Sequence, residues 1–137
     1  MNEEQMAQLK ALPFPAFVYY DMGNGLELRS VEVENDHPCG AAYTLKYDNG
    51  MGGELYVYGC TGGVGDIMPG DHQVSFSSII YGSGIAEVYP EEGSVDGCSF
   101  RSHWIDTWRP GNFYAFAAKN LPERYINIVC DGLIELE

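Results

Sequence analysis

Basic residues are scarce in this chain. Seven Lys and Arg stand against twenty Asp and Glu in 137 residues, a formal charge of −13 at pH 7. Binding to nucleic acid or anionic lipid draws on counterions released as Lys and Arg neutralise phosphates. Lys10, Arg29, Lys46, Arg101, Arg109, Lys119 and Arg124 are scattered singly, so no basic stripe opposes the mean field. Direct nucleic-acid binding and membrane binding are therefore not expected. No apolar run approaches the ~20 residues that cross a bilayer as a helix. The opening MNEEQMAQLK starts with acids where a secretory signal has a basic and then an apolar stretch. A cytoplasmic location is expected on that ground.

The usual chemical signatures are also missing. The four cysteines, Cys39, Cys60, Cys98 and Cys130, include no C-x-x-C pair, which removes the zinc-knuckle and thioredoxin-type signals. In a reducing compartment they are expected as free thiols, with Cys98 and Cys130 in the core. His37, His72 and His103 are far apart, and a metal set of His72 with Asp66 and Asp71 has poor ligand spacing. Residues 59–72, GCTGGVGDIMPGDH, contain five glycines. Asp66 and Ile67 stand where a phosphate loop needs Lys and Ser or Thr, and Met68 and Pro69 stand where its helix would run. Cys60 has Asp66 rather than Arg six places on, and Gly82-Ser83-Gly84 is not a nucleophile elbow. No cofactor, metal or catalytic constellation is expected.

What remains is a strong period-two pattern behind one helix. Asn2 and Gln5 form a capping-box signature, and Met6, Leu9 and Leu12 share a helical face, so residues 2–12 are predicted as a helix closed by Pro13 and Pro15. From Ala16 on, apolar and polar residues alternate between turn signals. Segments 16–22, 26–34, 43–47, 54–58 and 85–89 read as strands, and 74–81 reads as a strand more readily than as a capped helix. In 26–34 the phase slips from Leu26 and Leu28 to Val31 and Val33, which predicts a bulge near Ser30. The last third reads as a long meander from Cys98 to Trp108. A central strand over 113–119, a further strand over 124–130 and a short final one follow. The predicted fold is an all-β single domain over 1–137: an antiparallel sandwich or flattened barrel of eight to nine strands, with the β domain over 16–136.

Ten tyrosines are many for this length. Tyr56, Tyr58 and Glu54 fall on one face of a predicted hairpin whose Leu55 and Val57 supply the other. Trp104 and Trp108 share a side with Asp106, Cys98 and Phe100 and read as cross-strand packing, while strand parity puts His103 on the opposite side. Aromatics beside acids suit a surface aimed at Lys and Arg. The expected function is an acidic binding module, an inhibitor of the immunity or anti-defence type, that occludes a basic protein partner. Its contact residues are expected among Glu54, Tyr56, Tyr58, His103, Asp106, Glu91 and Glu92. The alternatives are a small-ligand β-barrel, a structural subunit, and an enzyme whose site is assembled from distant residues such as His72, His103 or Cys60. The partner's identity and the oligomeric state are not legible in the sequence.

Overall fold

The computed structural model describes residues 2–37, 40–61, 68–78, 82–90, 98–103, 105–106 and 113–136. Helix α1 (Glu3–Lys10) starts where the sequence places it. The Asn2 side chain accepts from the Gln5 amide and the Gln5 side chain accepts from the Asn2 amide, so two of the helix's orphan donors are satisfied reciprocally. Leu9 and Leu12 are buried, and α1 lies against strand β2 as a lid.

The period-two segments form strands β1 (Phe17–Tyr19), β2 (Glu27–His37), β3 (Gly40–Asp48), β4 (Glu54–Cys60), β5 (His72–Ser78), β6 (Gly82–Pro90), β7 (Cys98–Ser102), β8 (Ile105–Asp106), β9 (Phe113–Leu121) and β10 (Leu133–Glu135). Seven of them follow the order β2-β3-β4-β9-β7-β6-β5, with the two-residue β8 also paired to β9. Every described pairing is antiparallel. The two ends of this order, β2 and β5, do not pair with each other, so the sheet is open and the flattened-barrel form is not adopted. β9 is the central strand that residues 113–119 predict. It enters last between β4 and β7, which joins two three-strand meanders into one sheet. The bulge also lies where the phase slips. Leu28 pairs with Tyr47 and Ser30 with Lys46, which leaves Arg29 as the extra residue and sends both Leu28 and Val31 inward.

One predicted strand is a helix. Residues 125–130 fold as part of α2 (Tyr125–Gly132), with Arg124 at its N-cap, and Ile126, Val129 and Cys130 are buried in it. Their spacing of three and then one is helical, but Tyr125, Asn127 and Val129 against Ile126, Ile128 and Cys130 can also be read as alternation. The start carries no capping side chain and no acid in the first turn, so the local signals that mark a helix are missing. α2 packs on β5, and the chain then returns as β10 beside β1.

The β1–β10 ribbon and the helices cover the inner face of the large sheet, giving a sandwich-like arrangement with one core between the layers. Tyrosines stitch the layers together. Tyr43 Oη accepts from the Phe17 amide at 2.8 Å and donates to the Phe17 carbonyl at 2.9 Å. Tyr47 Oη accepts from the Tyr19 amide at 3.0 Å, and Tyr114 Oη donates to the Pro15 carbonyl at 2.6 Å. Gly59 makes this possible. It sits in register between Tyr43 and Tyr114, and a Cβ there would come within 2.3 Å of the Tyr43 ring. Among the described residues no helix is long and apolar enough to cross a membrane.

Candidate functional site

Antiparallel register decides which side chains share the outer face of the large sheet. One row runs Ser30, Lys46, Tyr56, Ala117, Arg101, Glu87, Gln73 from β2 to β5. A second runs Glu32, Thr44, Tyr58, Ala115. A third holds Asp48, Glu54 and Lys119. The structure thus brings Glu54, Tyr56 and Tyr58 together as their parity requires. The two tyrosine rings lie parallel within 7°, with centroids 6.2 Å apart.

Glu54 is occupied by its own neighbours. Tyr56 Oη donates to its Oε2 at 2.7 Å, and Lys46 Nζ lies 3.6 Å from its Oε1. The Tyr56 hydroxyl first, and then Lys46 and Lys119, hold the Glu54 carboxyl below its ordinary value. The same hydrogen bond pushes Tyr56 up to about 12. Burial raises Tyr58, against a pull from Arg101 in the other direction. Toward the β2 edge the face becomes acidic. Glu32 and Glu34 are exposed there and line a shallow pocket of about 60 Å³ with Ala42, Tyr43 and Thr44.

His103 belongs to the same face, across β9 from the tyrosines, and it has a partner that the sequence did not suggest. Glu87, on β6, is only 2% exposed. Its Oε1 accepts from the Gly70 amide at 3.0 Å, and its Oε2 accepts from Gln73 Nε2 at 2.8 Å and meets His103 Nε2 at 2.7 Å. The Gly70 amide first, and then His103, hold this carboxyl below its ordinary value. The imidazole stays accessible, with its side chain 45% exposed, and its backbone amide donates to the Ile85 carbonyl at 3.0 Å. The linear cue for Glu87 was parity alone, since Ala86 and Val88 take the inner face. Nothing in the sequence marks a carboxylate sixteen residues before His103 as its partner.

Of the other expected residues, Asp106 lies in β8 opposite Phe113, where its strand position alone is described. Glu91 and Glu92 lie outside the described residues, as do Asp66, Trp104 and Trp108. His72 bridges two carboxylates, with Nδ1 3.2 Å from Asp71 Oδ2 and Nε2 on Glu123 Oε1. These partners lie on opposite edges of the ring and do not converge on one point, and no group of three metal-ligating side chains occurs among the described residues. Cys60, Cys98 and Cys130 are buried and free of disulfides. Burial, and then Asp131, push the Cys130 thiol up to about 12. A rim pocket of about 240 Å³ between Val18, Tyr20, Asp21, Leu26, Leu28 and Tyr47 is smaller than the roughly 300–1,000 Å³ of ordinary ligand sites. Compared with known proteins, the chain matches no family model, no curated protein and no solved structure.

Proposed function

We propose that this chain is an acidic protein-binding module of the inhibitor type, and that it engages a basic protein partner through the β2–β3–β4 end of its outer sheet face. The observation that carries the reading is register. Exposed Glu32 lies in one cross-strand row with Tyr58, and Glu34 follows one step further along the same edge strand. A stacked aromatic pair therefore lies beside an acidic border on a single face. The charge of −13 steers a cationic surface toward the molecule. The Tyr56 and Tyr58 rings then offer area and cation–π contact, while Glu32 and Glu34 supply ion pairs. Glu54 has a different part in this reading: it orients Tyr56 and is already neutralised by Lys46.

The test is affinity capture from native-host lysate at low and high salt, with the wild type and the Glu32→Lys/Glu34→Lys double variant. One basic protein retained at low salt, released at high salt and lost by at least tenfold in the double variant is the expected result. Capture that is indifferent to both salt and charge reversal would sink the reading. Glu54→Gln is expected to weaken capture much less than the double reversal, because its carboxylate is satisfied internally.

A further inference from the structure

The far end of the same face has the opposite character. Arg101 lies in register with Glu87, the nearest carboxylate along its row, yet both Glu87 oxygens are taken by Gly70, Gln73 and His103. Arg29 and Lys46, by contrast, are ion-paired to Asp48 and Glu54. Arg101 is exposed and makes no ion pair among the described residues, in a chain that carries nearly three acids for every base. Two residues further on, His103 has one ring nitrogen fixed by Glu87 and the other turned away from it. The two side chains thus leave the backbone two residues apart, roughly 7 Å between Cα positions in extended chain, and flank the enclosed Glu87 carboxylate.

We propose that Arg101 and His103 form a binding site for a tetrahedral oxyanion, a phosphate or sulfate group, with Glu87 as the positioning residue for the imidazole. The long Arg101 side chain can reach an anion seated at the His103 ring, so the two residues can bond different oxygens of it by charge-assisted hydrogen bonds. Arg101 supplies a planar fork with several N–H donors. His103, when protonated, keeps one N–H on Glu87 and offers the other to the ligand. Among the described residues, Glu87 on β6 meets the imidazole, and Tyr58 on β4 and Tyr89 on β6 have hydroxyls in the field of Arg101. β9 places Ala115 and Ala117 in register between the tyrosines and Arg101. Glu87 is enclosed and saturated by three donors, so it fixes the ring without presenting a bare carboxylate to the anion. This site lies several strands from the acidic β2 edge and does not rest on the protein-binding reading.

The experiment is an NMR titration of the intact chain with inorganic sulfate, inorganic phosphate and acetate, following the His103 ring and the Arg101 side-chain signals. Saturable shifts of both with sulfate and phosphate are expected. Arg101→Gln is expected to weaken binding at least tenfold. His103→Gln is expected to weaken sulfate binding as well, because it removes the second donor. Glu87→Gln should keep the fold but loosen the ring, which weakens sulfate binding and changes the His103 ring signals of the free protein. Shifts that do not saturate, or that are equal in the wild type and Arg101→Gln, would overturn the site. Equal saturation by acetate would overturn its tetrahedral selectivity.

Discussion

His72 and Glu87 titrate in opposite senses, and each makes a separate contribution to stability. Glu123 and then Asp71 raise the His72 midpoint above its ordinary 6.5. A raised folded-state value favours the native state at low pH. The His72 contribution is complete below about 6.5 and is lost as pH rises through the folded value. In urea unfolding, the gap between wild type and His72→Gln is expected to be wider at pH 5.5 than at pH 8.5, and equal gaps would remove the bridge from the account. Glu87 is held below its ordinary 4.5 by the Gly70 amide and His103. Its contribution is therefore present above about 4.5 and lost as pH falls through the lower folded value. Thermal melts from pH 7 to pH 3 should show Glu87→Gln less stable than the wild type at neutral pH, with the difference shrinking below pH 4.5. A constant difference would mean that Glu87 acts by shape and not by charge.

At the scale of elements, the inner face of β3, β4 and β9 depends on a glycine between two large rings. Tyr43 and Tyr114 lean over Gly59 and reach the backbone of residues 15–17. Each such buried hydrogen bond contributes about 1 kcal/mol net, and leaving its partner unsatisfied costs about 1–3 kcal/mol. Gly59→Ala puts a methyl group 2.3 Å from the Tyr43 ring and 3.1 Å from that of Tyr114. It is expected to destabilise the protein by about 1–3 kcal/mol, as overpacking does. A chemical-denaturation midpoint unchanged from wild type would show that the layers do not need this close approach. The tyrosine count reads differently in this light. Tyr19, Tyr43, Tyr47 and Tyr114 are buried, whereas Tyr56 and Tyr58 remain on the outer face. The sequence pattern for the surface pair was clear because Leu55 and Val57 alternate with it. Tyr43 and Tyr47 alternate with Thr44, Lys46 and Asp48 in the same way, which fixes their face but not the second layer they bond to. The helix α2 was hidden for a related reason, since an apolar stretch without caps fits both periods until its neighbours are known.

For the whole molecule, the net charge and its distribution are different quantities. Composition gives −13 and the preference for cationic partners that follows from it. The large sheet divides that charge into an acidic border on β2 and a stretch with Arg101 and Lys119 nearer its middle. Association with a basic partner at the β2 end should slow as ionic strength rises, because exposed charges are screened beyond roughly 8 Å at 0.15 M salt. Stopped-flow association rates across a salt series measure this, and the Glu32→Lys/Glu34→Lys variant should flatten the slope. A slope unchanged by that reversal would place the contact elsewhere on the surface.

Local chemistry in the chain was sufficient for the α1 capping box, the β3–β4 hairpin, the bulge at Arg29 and the apolar central strand. Each of these depends on neighbours within a few residues or on alternation with a fixed period. The strand order, the open sheet, the tyrosine contacts across layers and the Glu87–His103 pair were decided only by tertiary structure. These depend on which strands lie side by side, and alternation fixes the face of a residue without fixing its neighbour across the gap. The last strand to enter the sheet, β9, sets that neighbourhood: it carries small alanines between the tyrosines of β4 and Arg101 of β7. No periodicity within β9 specifies those partners.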